Sequence, residues 1–372
     1  MDHPTDHVFG MSADELAAWC ERRGFEAYRA KQFMAHVVER GVDDPAAWHN
    51  LPPALRKAAA DAMHIRTGDT VEHQIATDGT QKLLIEWGDP SAPASALPVL
   101  GQQGDPTRQT ECVMIPSLDP GSSRKTACIS SQVGCPVGCR FCASGLSGLD
   151  GNLSAGRIVE QVWQLERLPG VGRISNVVFM GMGEPLSNFN AVTDAIRTLT
   201  RPRPFGLGIG GRKITVSTVG LPKYINRLAA ELDVPVTLAL SLHATSDELR
   251  RELIPWSEYT TIRELLDACS AWFKKTGREI TLEYTLLGGT NDGTTDAKEL
   301  VRLSRTLRAN VNLIRYNEVE GLPYRRPADA AVHGFQAVLR EAGINCHIRA
   351  SRGRDIAAAC GQLRHEHEAP SG

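Results

Sequence analysis

Residues 126–145 read TACISSQVGCPVGCRFCASG. The stretch opens on a short apolar run and passes at once into a loop holding Cys135, Cys139 and Cys142, spaced C-x3-C-x2-C. A short apolar run bounded by turn residues marks a buried strand. Five more follow: NVVFMG at 176–181, KITVST at 213–218, PVTLALSLH at 235–243, ITLEYTLL at 280–287 and NLIRY at 312–316. Helical patterns near 155–168, 190–200, 221–232, 261–275 and 294–308 lie between them, and a last helix near 328–341 leads to NCHIRA. Strands alternating with helices are parallel strands joined by crossovers. The class is therefore α/β, either a doubly wound sheet or a full or partial barrel. In both, chemistry gathers at the carboxyl ends of the strands.

Upstream, residues 1–66 read as a helical accessory domain. Ser12 caps a helix carrying Leu16 and Cys20, Tyr28 to Gly41 gives a second, and NLPPALRKAAADAM gives a third opened by prolines. Residues 67–118 read as a β extension and linker, with the Pro-, Gly- and Ser-rich stretch 89–110 as the loop. The barrel domain is expected over 119–364 and a disordered tail over 365–372. With 42% apolar and 23% charged residues, the 372-residue chain is neither disordered, fibrous nor a coiled coil. A net charge of -2 excludes a globally basic nucleic-acid binder but not a local basic face. No apolar run is long enough to span a bilayer, and no secretory leader opens the sequence, so the expected compartment is cytoplasmic and the partners include no membrane. Nine cysteines are too dilute for a disulfide framework.

The cysteine trio is the strongest chemical signal. Three thiolates from one loop suit a compact soft-metal centre. A structural zinc site takes four protein ligands, and no fourth Cys or His adjoins these. A [4Fe–4S] cluster held by three cysteines keeps one iron open for a small chelator. Gly134 and Gly138 permit tight turns beside such a cluster. GMGEP at 181–185 follows the second strand, where Glu184 can accept from an ammonium group. Ser217, Ser241, His243 and Asn317 end successive strands, as if a ligand lay across them. Cys20, Cys112, Cys269 and Cys346 fit no motif and read as packing residues.

These features resemble the radical S-adenosylmethionine (SAM) enzymes, whose C-x3-C-x2-C loop carries an aromatic residue before its last cysteine, as Phe141 stands here. ISSQVGC, CASG, GMGEPL, VSTVG, LALSLHA and DIAAACGQL together resemble the dual-specificity rRNA/tRNA adenine C2-methyltransferase family, RlmN, over residues 12 to 364. GFEAYRAKQ and LPPALR are similar to that family's helical N-terminal domain. The resemblance implies a partial (β/α)6 TIM-like radical SAM barrel. It implies a [4Fe–4S] cluster on Cys135, Cys139 and Cys142, and two SAM molecules per turnover. SAM contacts are implied at Gly183, Glu184, Ser217, Ser241, Leu242, His243 and Asn317.

Adenine C2 lies between two ring nitrogens and is too electron-poor to attack a methyl donor, so a radical is needed. By resemblance, Cys360 takes a methyl group from one SAM, a radical from a second SAM activates that methyl, and it adds to C2. Cys128 then resolves the adduct, leaving a transient Cys128–Cys360 disulfide. Glu111 in ECVMIP is implied as the base that removes the C2 proton.

The implied substrates are an adenine in the peptidyl transferase region of 23S, large-subunit ribosomal RNA and an anticodon-adjacent adenine in tRNA. A one-electron reductant such as flavodoxin is the implied partner of a monomeric protein. Phosphate-contact candidates are Arg22, Arg23, Arg29 and Lys31, then Arg201, Arg203, Arg212 and Lys213, then Arg325, Arg326, Arg349, Arg352 and Arg354, the last group flanking Cys360 as a basic rim. Arg157 and Arg315 stand where the family usually has an acidic residue and a proline. Two alternatives stay open: methylation at adenine C8 by the same apparatus, and a non-catalytic zinc protein that binds RNA.

Overall fold

The computed structural model describes residues 1–88, 108–119, 121–146 and 148–363. The loop expected over 89–110 lies mostly outside the described residues, as does the tail expected over 365–372. At the start of the chain, Ser12 caps α1 (Ala13–Glu21). Its hydroxyl accepts from the Glu15 N–H at 3.1 Å, and the Glu15 carboxylate accepts from the Ser12 N–H at 2.7 Å. This reciprocal box satisfies two of the donors that a helix start leaves open. α2 (Arg29–Met34) runs on into a π-turn (Ala35–Glu39), so Phe33, Met34, Val37 and Val38 are buried together. α3 (Pro53–Ala62) has proline at its first position, where the missing N–H has no intrahelical partner to lose. Trp19, Phe33 and Trp48 from this segment belong to the same apolar cluster as the barrel helices.

The chain then builds one ten-stranded sheet. Strands β1 (Gly68–Ile75), β2 (Gln81–Trp87) and β3 (Gln109–Pro116) form an antiparallel meander that joins β4 (Lys125–Cys128) edge to edge. Beyond β4 lies a small ribbon of β5 (Gln132–Gly134) and β6 (Leu149–Asn152), which brackets the cysteine loop. The order of the rest is strand and helix by turns: α4 (Ala155–Glu166), β7 (Asn176–Phe179), α5 (Phe189–Thr200), β8 (Ile214–Thr218), α6 (Pro222–Glu231), β9 (Thr237–Ser241), α7 (Asp247–Leu253), α8 (Ile262–Thr276), β10 (Ile280–Leu286), α9 (Thr294–Ser304), β11 (Ala309–Arg315), α10 (Asp329–Glu341) and β12 (Cys346–Arg349). Within the ten-stranded sheet every pairing from β4 through β12 is parallel, while the β5–β6 ribbon is antiparallel. Six strand–helix units make a partial (β/α)6 barrel, and β12 follows as a seventh parallel strand.

Side chains alternate across a strand, so each strand has one face for the helices and one for the barrel interior. Ala127, Val177, Phe179, Ile214, Val216, Leu238, Leu240, Ile280, Leu282, Tyr284, Val311, Leu313 and Cys346 all enter the helix-side core. The residues between them, among them Cys128, Ser217, Ser241, Glu283, Thr285 and Arg349, face the interior by the same period. Cys20, Cys112, Cys269 and Cys346 are buried, as a packing role requires.

One carboxylate ties the N-terminal segment, β1 and α4 together. Glu160 has no exposed surface and accepts from His7 Nε2 at 3.0 Å, from the Thr67 N–H and hydroxyl, and from the Gly68 N–H at 2.9 Å. Its removal strands several buried donors at once. Glu160→Ala should lower unfolding stability by about 3 kcal/mol, read as a lower urea midpoint with unchanged m-value.

Candidate active site

The cysteine loop begins where β5 ends. Gly134 lies in the left-handed region at φ 72, and a Cβ there would stand 2.0 Å from the Gly148 carbonyl oxygen, so only glycine fits. The Cys135 N–H donates to that same oxygen at 2.7 Å, which fixes the loop against the ribbon. Val137, Phe141, Leu253, Ile254, Leu287 and Tyr316 pack around the three cysteines. Burial pushes the Cys135 thiol up to about 12 and raises Cys139 and Cys142 also. Such thiols ionise readily only against a cationic centre, whose binding would release their protons.

Cys135, Cys139 and Cys142 line one cavity together with Glu184, Ser217, Ser241, His243, Glu283, Thr285, Arg349 and Cys360. Gly183 also lines it; a Cβ there would stand 2.7 Å from Ser131 Oγ and from Gln132 Cβ, and its φ of 101 likewise favours glycine. Glu184 is buried and accepts from the N–H groups of Leu186 and Val219, both at 2.9 Å. Burial raises its carboxyl to about 7. The Ser217 and Ser241 hydroxyls lie 3.2 Å apart at adjacent strand ends. His243 holds a left-handed backbone at φ 58, accepts at Nδ1 from the Thr285 N–H at 3.0 Å, and meets Phe141 edge-on at 5.1 Å. Burial, then the nearby Arg250 guanidinium, lowers its pKa to about 3, so the ring is neutral with Nε2 as donor.

A second cavity adjoins the first. It is lined by Cys128, Thr126, Ile115, Asn317 and the 350–363 segment, and it shares Met180, Ile314, Arg349 and Cys360 with the first. Cys360 thus stands between the cluster-side cavity and Cys128. Asn317 Nδ2 donates to the Cys360 carbonyl at 3.3 Å. Burial first, and the neighbouring Cys360 second, push the Cys128 thiol up to about 12, while Arg349 opposes the rise.

Two expected site residues stand apart from these cavities. Leu242 lines neither; its side chain is in the core, and its backbone N–H donates to the Glu283 carbonyl at 3.0 Å. Glu111 is 5% exposed and lines neither cavity; its carboxylate is 2.6 Å from Lys82 Nζ. Several arginines singled out for RNA are engaged within the fold. Arg203 pairs with Glu166 at 2.7 Å and donates to the Val38 carbonyl, Arg201 donates to the Met11 carbonyl, and Arg352 is bound to Asp78. Arg22, Lys31, Arg212, Lys213, Arg325 and Arg354 are exposed. Arg157, one of the departures from the family pattern, is a buried strut to the carbonyls of Gly88 and Asp2.

The sequence reading missed Glu283 and missed the cavity position of Arg349. Glu283 is 3% exposed, and its Oε2 has no hydrogen-bond partner, with Arg349 Nη1 3.9 Å away. A lone charge inside an apolar strand, as in ITLEYTLL or NCHIRA, was the available signal. Among the described residues no three His, Cys, Asp or Glu side chains converge as ligands of a single metal ion. In an iron–sulfur cube each thiolate binds a different iron, so convergence on one point is not required. Three half-buried thiols in one loop, facing a cavity whose polar wall leaves Glu283 Oε2 without a partner, therefore fit a cluster with a chelating ligand.

A family model described as the Radical SAM superfamily matches residues 129–301, which contain the cysteine loop and the strands up to β10. Fold and site together define a radical SAM enzyme. A probable dual-specificity RNA methyltransferase RlmN from Rhodopirellula baltica is 40% identical over 360 residues, covering 96% of this chain and 91% of that relative. The dual-specificity RNA methyltransferase RlmN of Syntrophobacter fumaroxidans is 40% identical over 350 residues, covering 94% and 95%. The crystal structure of a radical SAM methyltransferase from Sphaerobacter thermophilus matches with a TM-score of 0.87 at 38% identity, covering 97% of this chain and 99% of that one. The chain belongs to the RlmN family of radical SAM RNA methyltransferases.

The neutral His243 gives a pH prediction. Its folded pKa of about 3 lies below the ordinary 6.5, so the unfolded state takes a proton first as pH falls. The apo protein should lose stability relative to His243→Asn between pH 6.5 and 3, and the two should run parallel above about pH 7. Urea midpoints across that range check it. Asn is chosen because it tolerates the left-handed backbone.

Proposed function

We propose that the chain methylates C2 of adenine in large-subunit ribosomal RNA and in tRNA. The observation that carries this reading is the place of Cys360 between two cavities, one lined by the cysteine trio and the other by Cys128. Cys135, Cys139 and Cys142 hold a [4Fe–4S] cluster; Gly183, Glu184, Ser217, Ser241, His243 and Asn317 hold SAM, and Leu242 sets the turn between Ser241 and His243. When bound, the cluster and SAM supply one-electron cleavage to an adenosyl radical, a second SAM having supplied the methyl group.

The chain's own residues then divide the work. Cys360 loses its thiol proton and takes the methyl group, and S-adenosylhomocysteine leaves. Glu184, with its carboxyl buried, receives the ammonium end of the ligand. Neutral His243 donates from Nε2. After the carrier's methylene has bonded to C2, Glu111 removes the C2 proton; that role requires it to turn from Lys82 toward the second cavity when RNA is bound. Cys128 attacks the Cys360 sulfur and the C–S bond breaks; the base's new methylene takes a proton to become the methyl group, the odd electron of the adduct leaves by the one-electron route that serves the cluster, and the two cysteines remain as a disulfide for an external thiol reductant to reopen. A one-electron carrier of the flavodoxin type feeds the cluster. No helix among the described residues is long and apolar enough to cross a membrane, which suits an enzyme that meets its RNA in the cytoplasm.

RNA digests from cells lacking the chain should have no 2-methyladenosine at the affected sites, and the purified enzyme should restore it. Appearance of 8-methyladenosine instead would establish the C8 reading. Cys360→Ala should abolish methylation of RNA. Cys128→Ala should still load and attack but fail to release, so a covalent RNA–protein adduct should accumulate on denaturing gels. Normal turnover by that variant rules out the resolving role.

A further inference from the structure

The segment that carries Cys360 has little regular structure to hold it. After β12 it makes one short turn (Arg354–Ile356), flanked by left-handed residues at Gly353, φ 62, and Ala357, φ 49. A backbone of this kind keeps one path only if contacts from elsewhere fix it. Its far end is fixed to the site: the Ala143 N–H donates to the Gly361 carbonyl at 2.8 Å, and Ser144 Oγ donates to the Leu363 carbonyl at 2.5 Å.

Its near end is fixed by the turn between β1 and β2, more than 270 residues away in sequence. Asp78 Oδ2 accepts from the Gly353 N–H at 3.1 Å and lies 3.0 Å from Arg352 Nε. Arg352 Nη2 donates to the Asp78 carbonyl at 2.9 Å. Asp355 Oδ2 accepts from the Thr77 N–H at 2.9 Å. Thr80 closes the contact sterically, since a Cβ at position 353 would stand 2.9 Å from its methyl group. Arg352 is only 14% exposed on its side chain, so its guanidinium is committed to this contact.

We propose that Asp78, Arg352 and Asp355 are positioning residues that clasp the carrier segment to the β1–β2 turn and so hold Cys360 where the two cavities meet. The clasp rests on the reading of Cys360 as methyl carrier. It gives the antiparallel extension a part in the reaction, and it removes Arg352 from the basic rim expected to bind RNA. Two charge-assisted contacts and two backbone hydrogen bonds act together, so loss of any one member loosens the segment.

The test uses the full-length reconstituted enzyme with Asp78→Ala, Arg352→Ala, Arg352→Lys and the charge swap Asp78→Arg with Arg352→Asp. Mass analysis of the Cys360 peptide after incubation with SAM reads methyl loading, and deoxyadenosine released under dithionite in a Cys360→Ala background, where no carrier methyl is consumed, reads the cluster and its ligand. The two alanine variants should load at least tenfold more slowly while deoxyadenosine release stays within twofold. Arg352→Lys should recover part of the rate, and so should the swap. Iodoacetamide should label the unmethylated Cys360 thiol about tenfold faster in both alanine variants, a readout that does not depend on that thiol being the methyl carrier. Loading and labelling at wild-type rates overturn the clasp. So does a parallel fall in loading and deoxyadenosine release without recovery in the swap, which marks general damage. So does weakened RNA binding by Arg352→Ala with normal loading, which returns that residue to the RNA rim. RNA methylation by Cys360→Ala overturns the carrier reading instead and leaves the labelling result to judge the clasp.

Discussion

Every parallel strand of the barrel has one face taken by helices, and chemistry is confined to the other. The two-residue period therefore decides which side chains can meet. Leu282, Tyr284 and Leu286 are core residues, and Glu283 and Thr285 between them line the cavity. Ser217 and Ser241 reach each other because β8 and β9 are neighbours and end at the same level. A slip of one residue in any strand would exchange its cavity side chains for core side chains.

Within that interior, the arrangement of sulfur governs everything else. The cysteine loop, Cys360 and Cys128 are spread over two adjoining cavities with Arg349 exposed to both. Arg349 is the only charge common to the two cavities among the described residues, and its guanidinium bonds to Met180 Sδ at 3.1 Å. Burial raises the Cys128 thiol, and a cation at this point opposes that rise. Sulfur chemistry in a dry site needs such a counter-charge, because a thiolate is the reactive form.

Much of this was legible in the sequence. The six apolar runs are the six barrel strands because fully buried parallel strands carry continuous apolar stretches. Ser12 followed by Glu15 announced the first helix, and the cysteine spacing announced the centre. The partners of Glu111 and Arg352 were not legible, for a common reason. Lys82 meets Glu111 across two strands, and Asp78 meets Arg352 across 274 residues, so no local pattern marks either pair. Glu283 and Arg349 were legible in principle as isolated charges in apolar runs. Leu242 shows the converse: it sits in a motif beside the site, yet its side chain belongs to the core.

The buried carboxylate of Glu160 has a consequence for anyone who would graft this barrel onto another recognition module. His7, Thr67 and Gly68 all terminate on it, so the leading segment and the catalytic half share a buried polar keystone. A chimaera joined near residue 66 would keep the Thr67 and Gly68 donors but lose His7, leaving the buried anion one partner short. Interchange of target preference between relatives must therefore carry the matching histidine across with the helices.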